Sequence, residues 1–269
     1  MADALLYEKH NHIARITLNR PEKRNAIDPE MMVRLGEAWI DFEKDDDMRV
    51  AIVTGAGDTS FCAGADLARL IPLMTGARQP EDEWDNRLRN EPEVTRAALL
   101  RNFPLYKPVI AAINGYCLAA GTELVQGTDI RIASDNATIG LTEVKRGIVP
   151  AGGGIVRMPR QIAFAKAMEI LLVGDAIPAE EARLIGFVNY VVPQSELMAK
   201  AEEFAVKIAE NGPLAVRKVK EAVIKGLGLP INDAYKIESE AVAQVMSSED
   251  AREGPLAFME GRKPKFTGK

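Results

Sequence analysis

Three short apolar runs, RVAIVT (49–54), VIAAI (109–113) and DIRIA (129–133), constrain this chain more than any other feature. They read as buried strands, with helical and small-residue segments between them. Strand–helix–strand alternation with short connections implies parallel pairing through right-handed crossovers, hence an α/β fold. Upstream, 4–9 and 12–18 read as two further strands about a turn at Asn11. Asp28-Pro29 is a helix start, an acidic N-cap followed by proline at the first helical position. Leu35, Ala38, Trp39 and Phe42 recur at helical spacing behind it. From about Ser195 the pattern is helical, over 195–210, 213–225, 231–246 and a last piece near 249–260. The chain thus divides into a core over 1–194 and a helical region over 195–269. Residues 71–96 break the rhythm: polar and carrying Pro72, Pro80 and Pro92, they read as a functional lid or a mobile surface loop.

Chemistry first shows in NGYCLAAGTE (114–123). Ala119, Ala120 and Gly121 stand where a strand has turned and a helix begins. Backbone N–H groups there lack intrahelical partners, and small side chains admit an anion-like group to them. A second glycine-rich turn, GAGDTSFCAGAD (55–66), also follows a strand. It has Ser60 where a dinucleotide fingerprint wants glycine or alanine, and no Lys-Ser/Thr for a phosphate loop. The ends of two such turns can lie side by side in a strand–helix sheet, so that one N–H from each converges on a single oxygen. That is what a developing enolate needs. Glu123 follows one turn later among apolar neighbours, and Glu143 lies 20 positions further on, before a proline-glycine turn. Two carboxylates in one pocket suit the addition of water, one taking a proton from water and the other giving one to carbon. Burial and mutual repulsion push one pKa upward.

Composition removes competitors. The only histidines, His10 and His12, flank the first turn, which leaves Ser-His-Asp chemistry and His-ligated zinc without residues to build on. No metal site is expected. Lys plus Arg is 34 against 39 Asp plus Glu, a net charge of −5 that argues against a nucleic-acid partner; only VRKVKEAVIK (216–225) offers a basic helix face. No run reaches the roughly 18 apolar residues of a membrane span, and no signal peptide is evident at the N-terminus. Two cysteines, Cys62 and Cys117, give no disulfide framework, so a cytoplasmic location is expected. Both flank the proposed loops, but neither has a histidine to activate it.

At this point the chain resembles the crotonase superfamily, the enoyl-CoA hydratases and isomerases, over nearly its whole length. LNRPEKRNAID (18–28), VTGAGDTSFCAGADL (53–67), KPVIAAINGYCLAAGTEL (107–124), DIRIASDNATIGLTEVKRGIVPAGGG (129–154) and AFMEGRKPKF (257–266) carry the likeness. The resemblance implies a spiral of ββα units with a C-terminal helical oligomerisation region, a homotrimer or homohexamer. It implies an acyl-CoA thioester substrate, coenzyme A being part of the substrate and no further cofactor being needed. The oxyanion-binding N–H groups would be those of Ala65 and Ala120, and Glu123 and Glu143 would hold and activate water. CoA would lie along Lys23, Arg24 and Ala26 and along Ala63, Asp66 and Leu67. Phe258 matches an aromatic of the acyl pocket, and Trp84 and Leu88 of the long insertion would line it. The chain departs from the family pattern where Ala119-Ala120-Gly121 stands for three glycines, and at Ala151. It departs again at Gly261, where a basic residue is common and Arg262 is the nearest substitute. The activity implied is syn hydration of a 2-enoyl-CoA to a 3-hydroxyacyl-CoA. Isomerisation, dehydration of a decorated or cyclic acyl group and non-catalytic acyl-CoA binding are the alternatives.

Overall fold

A computed structural model describes residues 3–269. Two sheets organise it. The larger has the order β1 (Leu5–His10), β2 (Ile13–Leu18), β3 (Val50–Gly55), then β5 (Val109–Ile113), β7 (Ile130–Ser134) and β10 (Tyr190–Val192). Only the β1–β2 hairpin is antiparallel; the other neighbours pair in parallel. The smaller sheet interleaves with it in sequence: β4 (Ser60–Cys62), β6 (Tyr116–Leu118), β8 (Thr138–Gly140) and β9 (Ile177–Pro178). Three times, therefore, the chain leaves a long strand of the first sheet and adds a short strand to the second: β3 to β4, β5 to β6, β7 to β8. Each repetition stacks on the previous one and gives the expected spiral.

Asn114 fixes that stacking. In the β5–β6 turn, its Oδ1 accepts from Gly55 N at 3.1 Å, and its Nδ2 donates to Gly55 O and Gly57 O at 2.8 and 2.7 Å. The two turns are thereby held side by side.

The apolar runs of β3 and β5 are continuous because both faces of their sheet are covered. On one face Ile16, Leu18, Val53, Ala111 and Ile113 pack with Trp39 and Phe42 of α1 (Pro29–Lys44). Asp28 caps α1, its carboxylate accepting from Met31 N at 2.9 Å; such a cap is worth about 1 kcal/mol. On the other face Val50, Ile52, Ile110, Ala112 and Ile132 meet Leu197, Ala201 and Ala205 of a later helix.

Residues 71–96 are neither a loop nor a lid without structure of its own. They form most of α2 (Leu70–Met74), α3 (Glu83–Asn90) and α4 (Pro92–Ala98). Asp82 caps α3, Pro92 takes the first position of α4, and α4 lies along α1. No apolar stripe announces these helices because ionic contacts hold much of the segment. The Asp85 carboxylate is wholly buried, paired with Arg78 and accepting from Glu81 N at 2.9 Å, and Arg87 bonds Glu37 and Glu91.

Further along come α5 (Ala120–Val125), α6 (Gly154–Gln161), α7 (Phe164–Val173) and α8 (Ala179–Leu184). The last four helices are α9 (Leu197–Ala209), α10 (Pro213–Gly226), α11 (Ile231–Met246) and α12 (Asp250–Met259). The division at 194/195 does not follow packing, since α9 is the helix that covers the second face of the large sheet. Beyond it, α10 and α11 bury no residue and leave Val219, Val223, Ile231, Val242 and Met246 exposed.

Candidate active site

One cavity of about 940 Å³ opens where the ends of the short strands meet the insertion helices. It is built around two loops. Ala63-Gly64-Ala65 leaves β4, and Ala119-Ala120 leaves β6 and opens α5. They touch: Gly64 has φ +105°, and a Cβ there would sit 2.8 Å from the Ala119 Cβ and 3.7 Å from Ala120 N. Ala119 itself is held at φ 50°, ψ −122°, a conformation glycine adopts readily and alanine does not. That turn lifts the chain off β6 so that α5 begins at the cavity. Neither the Ala65 nor the Ala120 N–H has an acceptor among the described residues. Ala63, Ala65, Leu67, Ala119 and Ala120 all line the cavity.

Glu123 and Glu143 line it too. Glu123, on the first turn of α5, is 3% exposed. Its Oε1 accepts from Gly152 N at 2.7 Å and Gly154 N at 2.8 Å. A Cβ on Gly152 would stand 2.8 Å from Glu123 Oε2 and 2.4 Å from Leu99 Cδ1, so the carboxylate can be seated there only against a glycine. Arg157 braces the same region, donating to Glu123 O and Leu99 O, each at 3.1 Å. Burial raises the Glu123 pKa, against the two N–H bonds that lower it. Glu143 opens the 3-10 turn Glu143–Arg146 and is 7% exposed, with its Oε2 buried and without a partner. Burial, with the nearby Glu123 charge adding to it, pushes Glu143 up to about 7. The two carboxyl groups are thus made unlike: one is fixed by backbone donors, the other poised to hold a proton near neutrality.

The remaining expected residues divide. Leu88 lines the cavity; Trp84 does not, its ring centroid lying 5.0 and 5.7 Å from the guanidinium groups of Arg34 and Arg87. Lys23, Arg24, Ala26 and Asp66 lie outside the lining. Lys23 and Arg24 are exposed, and Arg24 sits over the Tyr116 ring at 5.5 Å. Asp66 is engaged locally, accepting from Ala68 N, Arg69 N and Arg20. Phe258, on α12, is 88% exposed and away from the cavity of its own chain. Arg262 is bound bidentately by Glu253 and also by Glu260. Cys62 and Cys117 are fully buried, and burial pushes the Cys62 thiol up to about 12, which leaves neither as a nucleophile.

Sequence reasoning does not find Gly152, Gly154 and Arg157 as the seat of Glu123. The glycine run 152–154 is the available signal for the first two. It does not find the arginines of the cavity wall either, which periodicity cannot bring together.

Interleaved ββα units, with paired loops and a glutamate pair at one cavity, are the architecture of the crotonase superfamily. The chain belongs to its enoyl-CoA hydratase/isomerase family, whose sequence model matches residues 8–269. It is 40% identical over 264 residues to the enoyl-CoA hydratase EchA19 of Mycobacterium tuberculosis, covering 98% of this chain and 96% of that protein. It is 40% identical to the (E)-benzylidenesuccinyl-CoA hydratase of Thauera aromatica, covering 97% of this chain and 98% of that one. Among solved structures, the enoyl-CoA hydratase of Bacillus anthracis superposes with a TM-score of 0.89 at 37% identity, covering 99% and 100% of the two chains. Among the described residues no helix is long and apolar enough to cross a membrane.

Proposed function

We propose that this protein catalyses reversible syn addition of water to a 2-enoyl-CoA, giving a 3-hydroxyacyl-CoA. The observation that carries the reading is the convergence of two unlike buried glutamates and two unused backbone N–H groups on one cavity. The thioester oxygen binds between the N–H groups of Ala65 and Ala120, which stabilise the negative charge that develops there as the enolate forms. Glu123, seated by Gly152 and Gly154, positions water and takes its proton as the oxygen attacks Cβ. Glu143, held at a pKa of about 7, delivers a proton to Cα. One proton is accepted and one donated on the same face, so the reaction needs no redox cofactor and no metal. Run backwards, the same transfers dehydrate a 3-hydroxyacyl-CoA.

CoA extends from the cavity mouth toward the 20–26 segment, where Lys23 and Arg24 offer exposed charge for its phosphates. The exposed apolar residues of α10 and α11, together with Phe258 on α12, support assembly into a trimer or hexamer, in which Phe258 approaches the acyl pocket of a neighbouring copy. A cytoplasmic place in acyl-CoA metabolism accords with the buried free thiols.

The test follows loss of the conjugated enoyl absorbance with a panel of 2-enoyl-CoA thioesters. Wild type hydrates at least one class, and Glu123→Gln lowers kcat on it by roughly 10²–10⁴-fold while still binding the thioester. Undiminished turnover by that variant would remove Glu123 from the mechanism.

A further inference from the structure

The walls of the cavity carry an imbalance that hydration of a plain enoyl chain does not use. Five arginines line it, Arg78, Arg89, Arg96, Arg101 and Arg146, and the only acids that line it are Glu123 and Glu143. Arg78 is neutralised by buried Asp85, Arg101 donates to Ala151 O at 2.6 Å, and Arg146 donates to Thr142 O at 3.3 Å. Arg89 and Arg96 have no carboxylate within ion-pair distance and donate no side-chain hydrogen bond among the described residues. Every other arginine on α2–α4 and their connections does one or both.

Both are solvent-exposed residues of the lining, Arg89 in the last turn of α3 and Arg96 on α4. Arg96 precedes Leu99 by three residues at the end of α4, and both line the cavity, so they share a face one helical turn apart. Leu99 is the residue whose Cδ1 faces Gly152 beside Glu123, and its carbonyl is held by the Arg157 that also holds Glu123 O. Arg96 therefore lies on the glutamate side of the cavity, one turn outward. The 20–26 segment assigned to CoA is tied instead to the β4 end, Ala63 N and Ser60 Oγ both donating to Arg24 O. The lining also carries apolar side chains, among them Leu70, Met74, Leu88 and Ile148. Guanidinium groups without a protein partner in a partly apolar cavity match a carboxylate in charge and in their paired donors.

Resting on the hydratase reading above, we propose that the preferred acyl group carries a carboxylate beyond the enoyl unit, bound by Arg96 and Arg89. A cationic acyl end is repelled by the same residues.

The experiment compares kcat/KM for three thioesters of matched length: a 2-enedioyl-CoA with a free terminal carboxylate, the neutral 2-enoyl-CoA, and one ending in trimethylammonium. Wild type favours the carboxylated substrate about tenfold or more over the neutral one and takes the cationic one worst. Arg96→Gln and Arg89→Gln each lower the carboxylated-to-neutral ratio about tenfold, the loss of one charge-assisted hydrogen bond. Equal or better hydration of the neutral substrate by wild type overturns this proposal while leaving the hydratase reading intact. A proportionate fall on all three substrates in both variants also overturns it, because the arginines then serve the CoA phosphates common to all. If wild type hydrates none of the three, the hydratase reading falls and this proposal with it.

Discussion

Replacing Glu143 by glutamine should stabilise the fold, and by an amount that depends on pH. The folded protein holds this carboxyl at about 7 against an ordinary value of 4.5, burial being the main cause. A raised carboxyl pKa means that the folded state resists losing the proton. Well below 4.5 both folded and unfolded chains are protonated and nothing is lost. Between 4.5 and 7 the unfolded chain ionises first, and stability falls by about 1.4 kcal/mol per pH unit. The loss amounts to about 1 kcal/mol at pH 5 and about 3 kcal/mol at pH 8. Glu143 is 7% exposed but lines an open cavity, so solvent screening makes these figures upper bounds. Glutamine cannot ionise, so Glu143→Gln removes the loss; any cost of its amide finding no partner is the same at both pH values and cancels in the comparison. Urea unfolding of both proteins at pH 5 and pH 8, at one protein concentration, should give a stability gain about 2 kcal/mol larger at pH 8. An equal gain at both, or a larger one at pH 5, would refute the claim that burial holds this carboxyl protonated near neutrality. The same titration bears on catalysis: hydration should fall as pH rises through about 7, as the donor loses its proton.

Gly152→Ala places a methyl 2.4 Å from Leu99 Cδ1 and 2.8 Å from Glu123 Oε2. It should cost about 1–3 kcal/mol in urea unfolding and lower kcat more than it raises KM; an active, equally stable variant would mean the seat of Glu123 is softer than its geometry implies. Ala119→Gly relieves a conformation alanine adopts at a cost, φ 50° and ψ −122°. After the entropy that glycine adds to the unfolded chain, it should gain about 1 kcal/mol in the same assay, and a destabilised variant would show that the alanine is unstrained there.

Much of the frame is legible in the amino-acid sequence alone. Short β-branched runs mark β3, β5 and β7, and the Asp28-Pro29 pair marks the start of α1 where the fold places it. Asn114 and Gly115 announce a turn, and the small residues before Glu123 mark the place where a helix opens on a cavity. These signals are local: a turn or a cap is decided by a few neighbouring residues, and an apolar run by the need to bury it.

What the sequence does not decide lies in contacts between distant segments. The insertion helices are held partly by Asp85, Arg78 and Arg87, whose ion pairs leave no hydrophobic period to read. Trp84, apolar and aromatic, reads as a pocket residue and instead packs near Arg34 and Arg87, whose guanidinium groups are attracted to the indole ring. The seat of Glu123 comes from Gly152 and Gly154, some thirty residues away, and the raised pKa of Glu143 from burial that only packing creates. Local chemistry chose the elements and placed two glutamates in the chain. Tertiary structure brought them to one cavity and made one carboxyl differ from the other, because desolvation and electrostatic coupling depend on distance in space and not on separation along the chain.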